Sequence, residues 1–159
     1  MPARLRSIIL WSLIALALFQ ALTAIVGGIL ILATDGMGMP GSFLADGPFV
    51  SFVWPGVILM VVVGGTQALA ATLLLTRREA GLLWSAVAGF GMLIWIFVET
   101  GVIRGTSWLQ FLYFTTGTVQ LVLVLALLGV VSWLPRRGLI DVGRASAGDS
   151  AVVSATPTR

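Results

Sequence analysis

The sequence predicts an all-α membrane protein: an antiparallel bundle of four transmembrane helices with both termini cytoplasmic and a long first extracytoplasmic loop. One observation is composition, because 58% of the 159 residues are hydrophobic and only 9% are charged, whereas a soluble domain has about 25% charged residues. Another is that four apolar segments reach the length of about 20 residues that crosses a hydrocarbon core. The third is the distribution of arginine along the chain.

We place the four predicted spans at residues 7–33, 52–75, 81–103 and 108–134. The basic start "MPARLR" resembles that of a signal peptide, but the apolar run behind it exceeds the about 7 to 15 residues of a signal core. We therefore expect an uncleaved first span. Residues 1–138 form the predicted transmembrane domain, and the Ala-, Ser- and Gly-rich residues 139–159 predict a disordered cytoplasmic tail.

Orientation follows from the arginines, because eight of the nine lie before the first span, between the second and third, or after the fourth. Four spans put those three places on one side, which the positive-inside rule assigns to the cytoplasm. The chain is thus predicted to be a multi-pass protein of the cell inner membrane. The lipid bilayer is its expected partner, since these arginines would contact anionic headgroups, and no nucleic acid is needed to explain the basic charge.

Polar and small residues share one helical face in each span, which is typical of faces that pack closely inside a membrane. The predicted inward faces are Ala17, Gln20, Thr23 and Gly27; Gly56, Met60, Gly64, Gln67 and Ala71; Ser85, Ala88, Gly89, Met92, Trp95 and Glu99; and Tyr113, Thr116, Gly117 and Gln120. Counted from the outer ends, the three glutamines lie at one depth of about 20 Å. We expect Gln20, Gln67 and Gln120 to form an interhelical polar layer, either as packing contacts or as the wall of a cavity.

A candidate polar site lies nearer the outer ends, around the carboxyl group in "WIFVETGVIRG". An ionisable residue within a span is a site hypothesis by default, although Glu99 at this depth could also form a structural ion pair with Arg104 or mark the helix end. Trp95 lies one turn away, and Tyr113 and Thr116 should face Glu99 from the fourth span. The Gly- and Pro-rich loop between the first two spans is expected to pack over this mouth.

The stretches "PFVSFVWPGVILMVVVGG", "WIFVET" and "SWLQFLYFTTG" resemble a group of small bacterial four-span membrane proteins. The similarity covers roughly residues 26–117, and its motif positions are Pro48, Phe49, Pro55, Gly56, Gly64, Gly65, Glu99, Ser107, Trp108, Leu109, Gln110 and Tyr113. The resemblance implies the same topology and points to the outer mouth. It implies no activity.

Three function classes stay open. The sequence favours a non-catalytic protein, either an accessory subunit of a larger membrane complex or a binder of a lipid or other hydrophobic molecule at the outer half. A small, oligomeric transporter or channel that uses Glu99 is the alternative. An enzyme is less favoured, because neither Glu99 nor Tyr113 is paired with a recognisable second catalytic group. The chain has no His and no Cys, so we expect no metal and no cofactor.

The predicted topology can be tested with single cysteines, since the native chain has none. We expect a membrane-impermeant thiol reagent to label Ser42→Cys from outside intact cells and to label Ser150→Cys only after the cells are opened. Labelling in the reverse pattern would overturn the assignment of both termini to the cytoplasm.

Overall fold

The computed structural model describes residues 3–44, 48–103 and 108–129, and all regular structure within these ranges is helical. Four helices are long and apolar enough to cross a membrane. They are the first helix, Ala3–Ala33; the second, Val53–Leu75; the third, Ala80–Ile103; and the fourth, Trp108–Leu127. The prediction of an all-helical chain with four candidate spans is confirmed for these residues.

Two helix ends differ from the prediction. The first helix already begins at Ala3, because Ala, Arg and Leu favour helix whether or not they lie in lipid. The fourth helix ends at Leu127 rather than 134. Gly129 follows with a φ of 74°, a left-handed conformation that commonly ends helices. The predicted domain boundary at 138 and the tail, residues 139–159, lie outside the described residues.

The second helix contains a π-helical segment, Ile58–Gly64, that the sequence analysis did not predict. In an unbroken α-helix, residues eight apart point about 80° away from each other. The wider π winding turns less per residue, so Gly56 and Gly64 can both approach the first helix. A Cβ on Gly64 would lie 2.6 Å from Ile25 Cγ1, and one on Gly56 would lie 3.0 Å from Ile31 Cγ2.

Each helix packs against two neighbours. The first contacts the second and the fourth, and the third contacts the same two helices from the other side. Large apolar side chains point away from these contacts, among them Phe97, Leu83 and Leu22, which are 71%, 66% and 65% exposed. Such a surface would be unfavourable in water but suits contact with acyl chains.

Two apolar clusters fill the interior. One contains Ala24, Val63, Met92, Trp95 and Ile96. The other contains Leu13, Ile14, Leu74 and Val124. The first and second helices contribute to both clusters. On the first helix the two sets are separated by Gln20, and on the second by Gln67, so the clusters occupy opposite halves of the helical bundle.

The two ends of the bundle differ in chemistry. We call one the arginine end, because Arg6, Arg77 and Arg78 lie there around one cavity. The other is the loop end, where the connection between the first and second helices folds back on the bundle. Leu44, from the short 3₁₀ helix Gly41–Leu44, and Phe52 are 8% and 7% exposed, so this connection is anchored by apolar contacts. That placement agrees with the expected position of the loop over the mouth.

The close contact between the first and second helices predicts different outcomes at two adjacent glycines. A Cβ on Gly28 would lie 2.6 Å from Met60 Cβ and 2.7 Å from the Gly56 carbonyl oxygen, whereas one on Gly27 would lie 3.5 Å from Leu59 Cδ2. We expect Gly28→Ala to destabilise the fold by about 1 to 3 kcal/mol through overpacking, and Gly27→Ala to be tolerated. Thermal unfolding in detergent, followed by size-exclusion chromatography, compares them; equal stability would contradict the close packing.

Candidate functional site

The structure brings Gln20, Gln67 and Gln120 together in one layer. Each side chain is 0% exposed, and they come from the first, second and fourth helices. Burying an amide in an apolar interior is costly unless it forms hydrogen bonds. Each glutamine lies on the predicted inward face of its own helix, and the three have the same predicted depth. The sequence could therefore predict that they lie side by side.

Gln67 and Gln120 form a reciprocal amide pair. Gln67 Nε2 donates to Gln120 Oε1 at 3.1 Å, and Gln120 Nε2 donates to Gln67 Oε1 at 3.0 Å. The third helix joins this pair through its backbone, because Gln120 Nε2 also donates to the Ser85 carbonyl oxygen at 2.9 Å and Gln67 Nε2 to that of Ala88 at 3.3 Å. A carbonyl can only accept, so these contacts fix the orientation of both amides.

Gln20 is attached to the pair by one hydrogen bond. Its Oε1 accepts from Gln67 Nε2 at 2.7 Å, so the two hydrogens of this NH₂ group are shared among three acceptors. Reversing the Gln20 amide would place two NH₂ groups opposite each other, so this orientation is set by its neighbour. Gln20 Nε2 is buried and has no acceptor within the part of the chain that the structure describes. The layer therefore has one unmatched donor, on the first helix.

A cavity of about 380 Å³ lies on the loop-end side of the layer, and we call it the loop-end cavity. All four helices and the first connection contribute to its wall. The lining residues are Thr23, Ala24, Gly27, Ile31, Met37, Met39, Leu59, Met92, Trp95, Ile96, Glu99, Leu109, Gln110 and Tyr113. The wall is thus mainly apolar, with a few polar groups.

Glu99 lines this cavity together with Trp95, one turn earlier on the third helix. Tyr113 lines the same cavity from the fourth helix. Thr116, the other expected neighbour of Glu99, is not among the lining residues, and its hydroxyl donates to the Tyr113 carbonyl oxygen at 3.1 Å. Arg104, the expected ion-pair partner, lies outside the described residues.

The first connection covers Glu99 from above. A smaller cavity of about 60 Å³ is enclosed by Glu99 and Trp95 below and by Met39, Leu44 and Phe52 above, with other apolar residues. The apolar residues between the glycines and prolines of this loop predicted that it packs over the bundle. They did not predict that Met37 and Met39 line the loop-end cavity.

Sequence reasoning missed two further features. One is Gln110, which lines the loop-end cavity and is 7% exposed. The sequence had indicated Gln110 only as a motif position of the family resemblance. A second cavity, of about 440 Å³, lies at the arginine end and is lined by Arg6, Arg77, Arg78, Glu79 and apolar residues that include Leu10 and Leu74. We call it the arginine-end cavity. In the sequence, the clustered arginines predicted topology and contact with anionic headgroups, but not a cavity.

Comparison with protein-family models, curated proteins and solved structures gives no match. Within the described ranges, no group of three or more His, Cys, Asp or Glu residues could hold a metal ion. The fold is that of a helical, multi-pass membrane protein. Its candidate spans enclose a polar layer and a mainly apolar cavity.

The hydrogen-bond pattern predicts unequal roles for the three glutamines. Replacing Gln67 by Met removes the hydrogen-bond partner of Gln20 and the side-chain partner of Gln120. Replacing Gln20 by Met removes only one hydrogen bond, and it also removes the unmatched donor. We expect Gln67→Met to destabilise the protein by about 1 to 2 kcal/mol more than Gln20→Met, in line with interhelical hydrogen bonds in membranes. Reversible unfolding in mixed micelles measures both.

A double-mutant cycle on Gln67 and Gln120 serves as the internal control. The reciprocal pair predicts a coupling free energy of about 0.5 to 2 kcal/mol, because each single variant already breaks both shared bonds. Additive effects, or equal costs at positions 20 and 67, would contradict the pattern of hydrogen bonds described above.

Proposed function

We propose that this protein is a non-catalytic, polytopic protein of the cell inner membrane that binds a lipid or other hydrophobic molecule in the loop-end cavity. Its four helices form an antiparallel bundle with both termini cytoplasmic, so the loop end is extracytoplasmic. The arginine distribution supports this orientation. The observation that carries the binding proposal is a mainly apolar cavity placed beneath a folded cover.

The size of the cavity supports a small ligand. A volume of about 380 Å³ falls within the range of about 300 to 1,000 Å³ that ligand pockets occupy. Its lining also has the composition of such pockets, since Leu59, Met92 and Ile96 provide apolar surface and Gln110 and Tyr113 provide groups that could orient a ligand.

The position of the cavity supports a ligand that comes from the membrane or its surface. The wall is built from helices whose outer faces carry exposed apolar side chains, and the cover holds its apolar residues against the bundle. A hydrophobic molecule could thus move from lipid into the cavity without crossing water. Such a cavity favours a binder over an accessory subunit that acts only through protein contacts.

Transport is the second candidate, and one observation favours it. The loop-end and arginine-end cavities lie on opposite sides of the glutamine layer, along all four helices. A small oligomeric transporter could use Glu99 as a proton or solute site and the layer as a barrier. In the present conformation, the fully buried glutamines close the route between the cavities, which is why binding remains the first proposal.

The binding proposal is tested by filling the cavity. Gly27 lines it, so Gly27→Phe should occupy part of its volume. The matched control is Gly91→Phe, at a glycine whose added Cβ would have no neighbour within 4 Å. Organic extracts of the purified proteins, analysed by mass spectrometry, should show a hydrophobic molecule in stoichiometric amount with the wild type and with Gly91→Phe, but not with Gly27→Phe. The same bound molecules in all three would refute binding at this place.

A further inference from the structure

Among the described residues that line the loop-end cavity, one has an acidic side chain and none has a basic one. Of its lining residues, Glu99 alone has a carboxyl group, and none is Arg or Lys. Among the described residues, no Arg or Lys lines either of the two cavities that Glu99 borders. The described arginines of the helix connections lie around the other cavity. A cationic ligand group in this cavity would therefore meet a carboxyl group, and none of the described lining residues is a cation that would compete for it.

The neighbours of Glu99 are of a kind that attracts organic cations. Trp95 and Tyr113 line the same cavity, and the faces of aromatic rings attract ammonium groups electrostatically. Met37, Met39 and Met92 add polarisable thioethers that adapt to irregular hydrocarbon shapes. Aromatic faces around a carboxyl group are the arrangement that recognises alkylated amines, whereas an anionic ligand would be repelled by Glu99.

A second acidic residue lies at the same end of the bundle. Asp35 is exposed in the turn that follows the first helix, two residues before the lining residue Met37. A negative side chain at this end raises the local concentration of cations and lowers that of anions. Asp35 and Glu99 would thus both favour cationic ligands.

We propose that the ligand of the loop-end cavity is a hydrophobic cation, an amine or quaternary ammonium with a compact hydrocarbon body, and that Glu99 is its counter-ion. Trp95 and Tyr113 contact the cationic head, and the Met side chains surround the hydrocarbon part. This inference rests on the proposed function, because it names the class of molecule that the same cavity binds.

The test uses two probes of nearly equal shape, benzyltrimethylammonium and its uncharged carbon analogue neopentylbenzene. Equilibrium binding to the full chain in nanodiscs is measured against empty nanodiscs, which corrects for partition into lipid. We expect the cation to bind about tenfold tighter than the neutral analogue, and Glu99→Gln to remove that preference. The control is Glu79→Gln, which removes a carboxyl group at the arginine end and should leave binding unchanged.

Each outcome separates the two proposals. If the neutral analogue binds as tightly as the cation, and Gly27→Phe weakens both, the hydrophobic cavity stands and the preference for cations is wrong. A preference for the cation that survives Glu99→Gln also overturns the role of Glu99. If neither probe binds to the wild type, the inference fails, and the extracts of the cavity-filling experiment decide the proposed function. Should Glu99→Gln fail to fold, the comparison of the two probes on the wild type still tests the charge preference.

Discussion

The buried amide contact between Gln67 and Gln120 is the interaction on which the arrangement of the helices depends. A membrane interior offers no water to an unpaired amide, so each glutamine must find its partner inside the protein. The pair does so across two helices, and the Ser85 and Ala88 carbonyl oxygens bring in a third. Rotating one of these helices, or shifting it by one turn, would break several of these bonds together. These bonds act beside close packing, because acyl chains are as apolar as the helices and the hydrophobic effect does not draw helices together in lipid.

The layer also divides the interior into two unlike halves. Towards the arginine end, Leu13, Ile14, Leu74 and Val124 pack into a cluster. Towards the loop end, the cluster of Ala24, Val63, Met92, Trp95 and Ile96 borders the cavity of about 380 Å³. Small residues hold the first two helices together on this side, where Gly28 approaches Met60. A cavity can thus exist beside a close helix contact, because the contact and the amide layer hold the wall in place.

Sequence reasoning predicted the features that depend on periodicity and depth. The four helices and the meeting of the three glutamines follow from apolar length, shared helical faces and the constant rise of an α-helix. It could not predict the π-helical segment, Ile58–Gly64, since its residues are ordinary for an apolar span. Nor could it tell that the Thr116 hydroxyl would donate to a carbonyl of its own helix, because a threonine hydroxyl can bond to its own backbone or to another group. The pairing within the layer depends on Ser85 and Ala88 backbone groups, which no side-chain pattern reveals.

The hydrogen bonds are distributed unevenly, and this bears on how the cavity could admit a molecule. The second, third and fourth helices are joined by four bonds in the layer, while the first is joined by the single bond from Gln67 to Gln20. The first helix also supplies Thr23, Ala24 and Gly27 to the cavity wall, so the wall with least hydrogen bonding is the one it forms. Gln20 has the unmatched donor. It would therefore gain a bond from any acceptor that reached it, whereas a displacement of Gln67 or Gln120 could only break bonds that already exist.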